Sequence, residues 1–177
     1  MNYALITGAS SGIGRCYAHE LARRGYNIVA VSNQESELLA VTTELRNKYN
    51  ISAHYIFADL AAPNAAESIF ERCTKEGWQV DILICNAGML LFSTLLRTEP
   101  NRLTTIIALH CTTTTRLCRY FGEVNFLLAL TVTNLPTNKT IVYSAESHTN
   151  GKKVGTKTEW LPLANILLCK RPITTSA

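Results

Sequence analysis

The chain has 177 residues, of which 47% are hydrophobic and 17% charged, proportions that are typical of a soluble globular protein. No apolar run approaches the ~20 residues of a membrane-spanning helix, so no membrane partner is predicted. The net charge of +4 lies wholly in residues 124–177, which carry 6 basic and 2 acidic side chains against 11 of each in residues 1–123. Because the lysines of this tail are scattered, a solvated surface is favoured over a nucleic-acid site. We expect one domain over residues 1–177, with an atypical tail.

Cysteine usage and the N-terminus bear on the cellular compartment. The chain begins a strand almost at once, so we expect no signal peptide. The six cysteines form no C-x-x-C pair, and Cys16, Cys85 and Cys118 fall within apolar patterns. This usage predicts reduced core thiols in a cytoplasmic protein. Cys111 and Cys118 together with His110 lack the spacing of zinc ligands, so no metal site is predicted.

The first motif is the segment 7–14, which reads T-G-A-S-S-G-I-G. It follows a short apolar strand and precedes a run of good helix formers that ends at Gly25. In this setting Gly8 permits a tight turn, Gly12 lets a diphosphate approach the backbone, and Gly14 lets helix and strand pack closely. The free N–H groups and the positive dipole end of the helix then face the anion.

The spacing G-x-x-x-G-x-G, with Thr7 in front and Ile13 between the last two glycines, resembles that of the short-chain dehydrogenase/reductase family. The resemblance implies a Rossmann-like α/β fold with a doubly wound parallel sheet. It also implies an oxidoreductase that uses NADP or NAD to move a hydride between a carbonyl and an alcohol of a small-molecule substrate. The resemblance is specific for residues 1–123 and fails beyond them. We therefore expect the sheet to be truncated on its C-terminal side.

Residues 27–32 (N-I-V-A-V-S) predict the second strand, and a helix follows over residues 35–49. The end of this strand normally meets the adenosine ribose, where a carboxylate favours NAD and a nearby arginine favours NADP. Residues 32–34 (Ser-Asn-Gln) supply neither charge. The absence of a carboxylate favours NADP, with Arg15 as a candidate phosphate partner, while ordinary surface-loop residues explain the Asn-Gln pair equally well.

Residues 52–58 predict the third strand, and Asp59 follows it. The resemblance implies that an acidic residue here accepts a hydrogen bond from the adenine amino group, a role that falls on Asp59. The alternative is that Asp59 caps the next helix, expected over residues 64–76, although Pro63 and Asn64 lie closer to its start.

Residues 80–85 (V-D-I-L-I-C) predict the fourth strand, which ends in Asn86-Ala87-Gly88. This turn matches the N-A-G turn of the family. The resemblance implies that its small residues let the backbone pass beneath the cofactor ribose, while the Asn86 side chain ties the strand to its neighbour. With the first motif and Asp59, the predicted cofactor-binding residues are Gly8, Ser10, Ser11, Gly12, Ile13, Gly14, Asp59, Asn86, Ala87 and Gly88.

Residues 100–121 predict one long helix with an apolar face, which begins at Pro100. In the family this helix carries an inward asparagine that holds a water on the proton path, and His110 stands at the matching position. Because a histidine also bonds water, the resemblance implies a catalytic relay role for His110. A structural histidine in a helix that pairs with a partner subunit is an equal alternative, and the resemblance implies a homodimer through this helix.

After residue 123 the family would place a strand ending in a catalytic serine, and then a Tyr-x-x-x-Lys pair. Residues 139–145 predict a strand, so Ser144 is the candidate serine and Tyr143 a substitute acid; no tyrosine follows Tyr143, and the pair is absent. Positioned acid–base catalysis contributes about 10²–10⁴ in rate, so this absence predicts cofactor binding without most of the chemistry. The alternative function is a catalytically inactive nucleotide-binding protein, either a sensor or the product of a truncated or frameshifted gene.

Overall fold

The computed structural model describes residues 2–89 and 93–122, together with the backbone of three strands in the tail. Strands and helices alternate along the first half of the chain. The strands are β1 (Tyr3–Thr7), β2 (Asn27–Ser32), β3 (Ala53–Phe57) and β4 (Val80–Cys85), and the helices between them are α1 (Gly12–Arg23), α2 (Glu35–Tyr49) and α3 (Ala65–Lys75). The predicted bounds of β2, α2 and β4 agree with these, while β3 and α3 are each one residue shorter at both ends.

The first four strands form a parallel sheet in the order β3-β2-β1-β4. β1 and β2 are buried along their whole length, which explains why their sequences are continuous apolar runs rather than alternating ones. The chain winds from β1 through β2 to β3 and then returns to the other side of β1, so the topological switch point lies between β1 and β4. This arrangement confirms the predicted doubly wound, Rossmann-like α/β fold.

Two apolar cores cover the two faces of this sheet, because successive residues of a strand point to opposite faces. On the face of α3, Leu5 of β1 packs with Ile69 and with Leu117 from a later helix. On the other face, Ile6 packs with Leu38 of α2 and with the small side chains of α1. The packing of helices on both faces holds the strand ends in fixed positions, where the candidate site is built.

The burial of the cysteines differs from prediction at Cys16. The buried stripe of α1 consists of Gly14, Ala18 and Ala22, four residues apart, and Cys16 lies on the opposite face of the helix, exposed. The prediction of a core thiol at Cys16 is therefore wrong. Cys85 is buried, as predicted, because it belongs to a strand that is covered on both faces.

The helical segment 100–121 is continuous but irregular. α4 (Pro100–Ile107) and α5 (Thr113–Phe121) are joined by a π turn at Ala108–Thr112, which the helical periodicity of the sequence did not predict. A regular helix of 3.6 residues per turn advances about 40° beyond a full turn in every four residues. The wider π turn offsets this drift, so that Leu109 at the cleft described below and the buried Thr113 and Leu117 share one face.

Three strands extend the sheet beyond β4: β5 (Leu127–Val132), β6 (Ile141–Ala145) and β7 (Ile166–Lys170). Their order is β4-β7-β5-β6, and each neighbouring pair is antiparallel. The strand predicted over residues 139–145 is β6, which begins two residues later than expected. Across the described part of the chain, no helix combines the length and the apolar character that crossing a membrane requires.

Candidate functional site

The carboxyl ends of β1 and β4 are joined through the hydroxyl of Thr7, which is 2% exposed. Thr7 Oγ1 accepts hydrogen bonds from the backbone N–H groups of Asn86 at 2.9 Å and Ala87 at 3.0 Å. The side chain of Asn86 adds to these contacts, because its Nδ2 donates to the carbonyl oxygens of Thr7 at 3.2 Å and Gly8 at 3.4 Å. The turn at residues 86–88 is thereby held directly against the glycine-rich turn.

The glycine-rich turn leaves no room for side chains at its inner positions. A Cβ on Gly14 would lie 2.1 Å from the Gly8 carbonyl oxygen and 2.6 Å from Asn86 Nδ2, and a Cβ on Gly8 would lie 2.9 Å from Cα of Ala87. Gly12 is different, because its φ is +54° and nothing among the described residues lies within 4 Å of the corresponding Cβ position. The turn is therefore tightly packed at Gly8 and Gly14 and open at Gly12.

α1 begins at this opening with its first N–H groups unsatisfied by side chains. Ser11 precedes the first residue of α1 but makes no capping hydrogen bond, and the first turn contains no acidic residue. The first four N–H groups of an α-helix have no partner within the helix. Together with the positive end of the helix dipole, they form a site suited to a phosphate or another anion.

An open cleft of about 340 Å³ runs along the carboxyl ends of the strands, a volume within the range of small-molecule sites. Seven of the ten predicted cofactor-binding residues line it, namely Gly8, Ser10, Ser11, Asp59, Asn86, Ala87 and Gly88. Of the other three, Gly14 is buried beneath the turn, while Gly12 and Ile13 are exposed in the first turn of α1. The remaining lining residues are Ser32, Asn33, Gln34, Ala58, Leu60, Ala61, Met89, Thr105 and Leu109.

The end of β2 is fastened to the glycine-rich turn by a hydrogen bond between two buried hydroxyls. Ser32 Oγ lies 2.9 Å from Ser10 Oγ. The next residue, Asn33, is exposed at the wall of the cleft. Arg15, the candidate partner for a ribose phosphate, is instead paired with Glu44 of α2, with 2.5 Å between Arg15 Nη2 and Glu44 Oε2, and it does not line the cleft.

Asp59 closes a turn after β3 and does not cap a helix. Its Oδ1 accepts a hydrogen bond from the N–H of Ala61 at 2.9 Å, and its carbonyl oxygen accepts one from the N–H of Ala62 at 3.1 Å. Asn64 is the residue that precedes α3. The alternative prediction, a helix cap at Asp59, is therefore wrong, and its carboxylate is held exposed at the cleft wall.

His110 lies in the π turn and contacts the segment that follows Asn86. Its Nε2 is 3.1 Å from both the backbone nitrogen and the carbonyl oxygen of Met89. Its ring packs so closely on Gly88 that a Cβ there would lie 2.7 Å from Cε1. The ring accepts from the Met89 N–H when the proton is on Nδ1 and donates to the Met89 carbonyl when Nε2 is protonated.

The predicted catalytic residues of the tail do not come together with His110. Tyr143 and Ser144 lie on β6, which is three strands away from β4, or about 14 Å at the usual strand spacing. Across the intervening strands, Tyr143 is in register with Cys85 at the carboxyl end of β4, and Ser144 with the residue before it. The catalytic roles of Tyr143 and Ser144 stay predictions.

Several residues of the site were not singled out from the sequence. Thr7 was noted only as part of the motif, yet its hydroxyl joins β1 to the turn after β4. Thr105 and Leu109 line the cleft from the long helix, one turn apart and on the face that also carries Thr113. Their four-residue spacing was a usable signal, whereas the contact between Ser10 and Ser32 depends on folding and has no local pattern.

A glycine-rich turn and an open helix N-terminus at the switch point of a doubly wound sheet define a dinucleotide-binding fold of the Rossmann type. More narrowly, the chain belongs to the short-chain dehydrogenase/reductase family, since the sequence profile described as "short chain dehydrogenase" matches residues 2–124. The match ends where the resemblance was predicted to end, at the boundary near Glu123.

Two curated relatives illustrate the match. The very-long-chain 3-oxoacyl-CoA reductase of Candida glabrata is 32% identical over 127 residues, which are 70% of this chain and 36% of the relative. The human 17-beta-hydroxysteroid dehydrogenase type 3 is 36% identical over 114 residues, which are 63% of this chain and 36% of the relative. The chain thus spans 36% of the length of these relatives.

Solved structures agree with the fold. A short-chain dehydrogenase from Sphingobium yanoikuyae in complex with NADPH has a TM-score of 0.64 and 33% identity, covering 68% of this chain and 47% of that one. An alcohol dehydrogenase from Thermococcus sibiricus complexed with 5-hydroxy-NADP has a TM-score of 0.65 and 26% identity. The match covers 70% of this chain and 52% of that one.

Proposed function

We propose that this chain is the nucleotide-binding part of an NAD(P)-dependent oxidoreductase that moves a hydride between a carbonyl and an alcohol. The observation that carries the proposal is the packing of the glycine-rich turn against Asn86 and Ala87, which leaves an uncapped helix N-terminus beside a cleft. The names of the relatives and the NADPH and 5-hydroxy-NADP of the solved neighbours support the same chemistry.

The residues present fit a dinucleotide. Apart from the neighbouring backbone of α1, no described atom lies within 4 Å of the position that a Cβ on Gly12 would take, so this side of the turn leaves room for a diphosphate near the first N–H groups of α1. Asp59, fixed by Ala61, would accept from the adenine amino group, and the backbone at residues 86–88 would run beneath the second ribose. When bound, the nicotinamide cofactor supplies the hydride donor or acceptor.

The chain's own residues supply proton handling and orientation. Nε2 of His110 is held by the Met89 backbone, as acceptor or donor according to the tautomer, so in this proposal Nδ1 would bond the water on the proton path. We assign Ser144 to hold the substrate oxygen and Tyr143 to act as a weak acid. A free tyrosine of pKa ~10 is ionised in roughly one molecule in a thousand at pH 7, so Tyr143 is a poor base unless a cation assists it.

NADP is the preferred cofactor in this proposal. Asn33 and Gln34 line the cleft next to the end of β2 and carry no negative charge that would repel a 2′-phosphate. We further propose a small-molecule carbonyl substrate, a homodimer through the helix at residues 100–121, and a cytoplasmic location. The exposed side chain of Ile107 on this helix is consistent with a pairing surface.

The second candidate is a nucleotide-binding protein without turnover. One observation favours it specifically: the sequence contains no Tyr-x-x-x-Lys pair after Ser144, and β6 is separated from β4 by two other strands. Loss of a positioned acid–base pair removes about 10²–10⁴ in rate but leaves the phosphate and adenine contacts intact.

Titration with NADPH and with NADH, followed by the fluorescence of the dihydronicotinamide, tests the proposal. Turnover is then assayed with a 3-oxoacyl thioester and a 17-oxosteroid, the substrate classes that the relatives' names suggest. Binding with turnover supports the oxidoreductase, and binding without turnover supports the second candidate. Failure to bind either cofactor would contradict both.

A further inference from the structure

A buried side chain of α5 connects the long helix to the turn that contains Asp59. Thr113, the first residue of α5, is 5% exposed, and its Oγ1 donates a hydrogen bond of 2.7 Å to the carbonyl oxygen of Leu60. Leu60 is itself 6% exposed and lines the cleft. The hydrogen bond therefore lies in the protein interior, where it is shielded from competing water.

On one side of this hydrogen bond lies the adenine end of the cleft. Leu60 stands between Asp59 and Ala61, the two residues that the Asp59 carboxylate joins at 2.9 Å. A shift of the Leu60 carbonyl group therefore displaces the peptide unit next to the carboxylate that would accept from adenine. The hydrogen bond from Thr113 thus restrains the peptide unit whose N–H binds the Asp59 carboxylate.

On the other side lies the π turn with His110, which ends one residue before Thr113. The π turn keeps Thr113 facing inward while His110 reaches Met89 at 3.1 Å. If Thr113 were released, the helix would be free to return to regular spacing, and the ring of His110 would rotate away from Met89. The inward position of Thr113 and the position of His110 thus both depend on the π turn.

We propose that Thr113 is a positioning residue that couples the adenine end of the site to its reaction end. This inference rests on the proposed function for its meaning, because it assigns one hydrogen bond to the placement of both Asp59 and His110. The Thr113 hydroxyl touches neither the cofactor nor the substrate in this account. It acts through the Leu60 carbonyl in one direction and through the π turn in the other.

Arg116 offers a matched control from the same helix. Its Nη1 donates to the Pro63 carbonyl oxygen at 2.6 Å and lies 3.4 Å from Glu67 Oε2, so it also joins α5 to the segment after β3 and to α3. Arg116 is exposed, however, and lies one turn further from the π turn. A variant that removes this contact weakens the attachment of α5 without reaching His110.

The experiment compares Thr113→Val, Thr113→Ser and Arg116→Met in the full chain. In the cofactor-free protein, ring signals of His110 and amide signals of residues 60–62 are followed by NMR, and the Kd of ADP-ribose, which lacks the nicotinamide, is measured by calorimetry. Thr113→Val is expected to shift both sets of signals and to raise this Kd about five- to tenfold. Thr113→Ser is expected to restore both, and Arg116→Met to leave the His110 signals in place.

A shift confined to residues 60–62, with the His110 signals unmoved, would overturn the coupling and leave Thr113 a structural residue. The coupling would also be overturned if Thr113→Ser behaved like Thr113→Val. If the wild-type chain bound no nucleotide, the proposed function would fail, while the NMR comparison would still decide the coupling. If Thr113→Val did not fold, Thr113→Ala would remove the hydroxyl without adding bulk, and the same comparison would apply.

Discussion

Replacement of Gly14 by alanine sets two opposing effects against each other. Alanine forms helix better than glycine by about 0.5–1 kcal/mol, which on its own predicts a more stable protein. The added Cβ, however, would lie 2.1 Å from the Gly8 carbonyl oxygen and 2.6 Å from Asn86 Nδ2. The first of these separations is more than ~1 Å short of ordinary van der Waals contact. Both neighbours are fixed by the backbone and by hydrogen bonds, so α1 must move away from β1.

The steric effect is expected to exceed the gain in helix propensity, so that Gly14→Ala lowers the free energy of unfolding. Overpacking costs about 1–3 kcal/mol, which exceeds the gain in helix propensity. For a chain of this size each kcal/mol lowers the Tm by roughly 2–4 °C, so Gly14→Ala is expected to unfold a few degrees below the wild type. Because the start of α1 and Asn86 both move, the Kd of NADPH is expected to rise by about tenfold or more.

The assay combines thermal unfolding, followed by circular dichroism, with titration of NADPH fluorescence. Gly77→Ala is the matched control, because Gly77 has a φ of +69° and nothing among the described residues within 4 Å of its Cβ position. Gly77→Ala is expected to lower the Tm by strain alone and to leave the Kd within about twofold, as for independent sites. Wild-type affinity for NADPH in Gly14→Ala would contradict the role of Gly14 in holding α1 against the nucleotide site.

Four further predictions follow from single side chains. Thr7→Val leaves two backbone N–H groups without an acceptor and should lower the free energy of unfolding in urea by about 1–3 kcal/mol, whereas Thr7→Ser should not. Asn33→Arg, at the cleft wall, should favour NADPH over NADH by about tenfold in fluorescence titrations. Ile107→Glu, at a residue 60% exposed, should keep the circular dichroism spectrum of the fold but dissociate a homodimer in sedimentation; an unchanged mass would contradict the pairing surface. Two arginine partners lower the Glu20 pKa from 4.5 to about 2, so an NMR titration of its carboxyl should have its midpoint near 2; in unfolding measurements its small stabilising effect should be complete above pH 4.5 and lost as the pH falls through 2.

The fold was predictable from the sequence wherever local patterns determine it. β2 and β4 are short apolar runs bounded by polar residues, and α1 ends at Arg23, two residues before Gly25, whose φ of +85° suits the position just after a helix. The π turn was not predictable, because a search for apolar residues at the 3.6-residue period of an α-helix assumes that every turn has the same width. The exposure of Cys16 was predictable in principle, since Gly14, Ala18 and Ala22 already mark the buried face.

Part of the candidate site was also predictable from local sequence patterns, and part of it was not. Residues of the two turns were identified because glycines and small residues at fixed spacing reflect backbone contacts, and Gly8, Gly14 and Asn86 make such contacts. The hydrogen bonds that fix the site join residues far apart in the chain, as Thr113 and Leu60 do. Side-chain pairs of this kind depend on how helices and strands pack, so no local sequence pattern predicts them.

Titration with NADPH, with the amide chemical shifts of the whole chain followed by NMR, would locate the nucleotide site. The largest shifts are expected at Gly12, Gly14, Asp59 and residues 86–88, at the carboxyl ends of the parallel strands. Shifts centred on Gly25 and Gly77, at the opposite edge of the sheet, would contradict this location. So would the absence of any shift at millimolar NADPH.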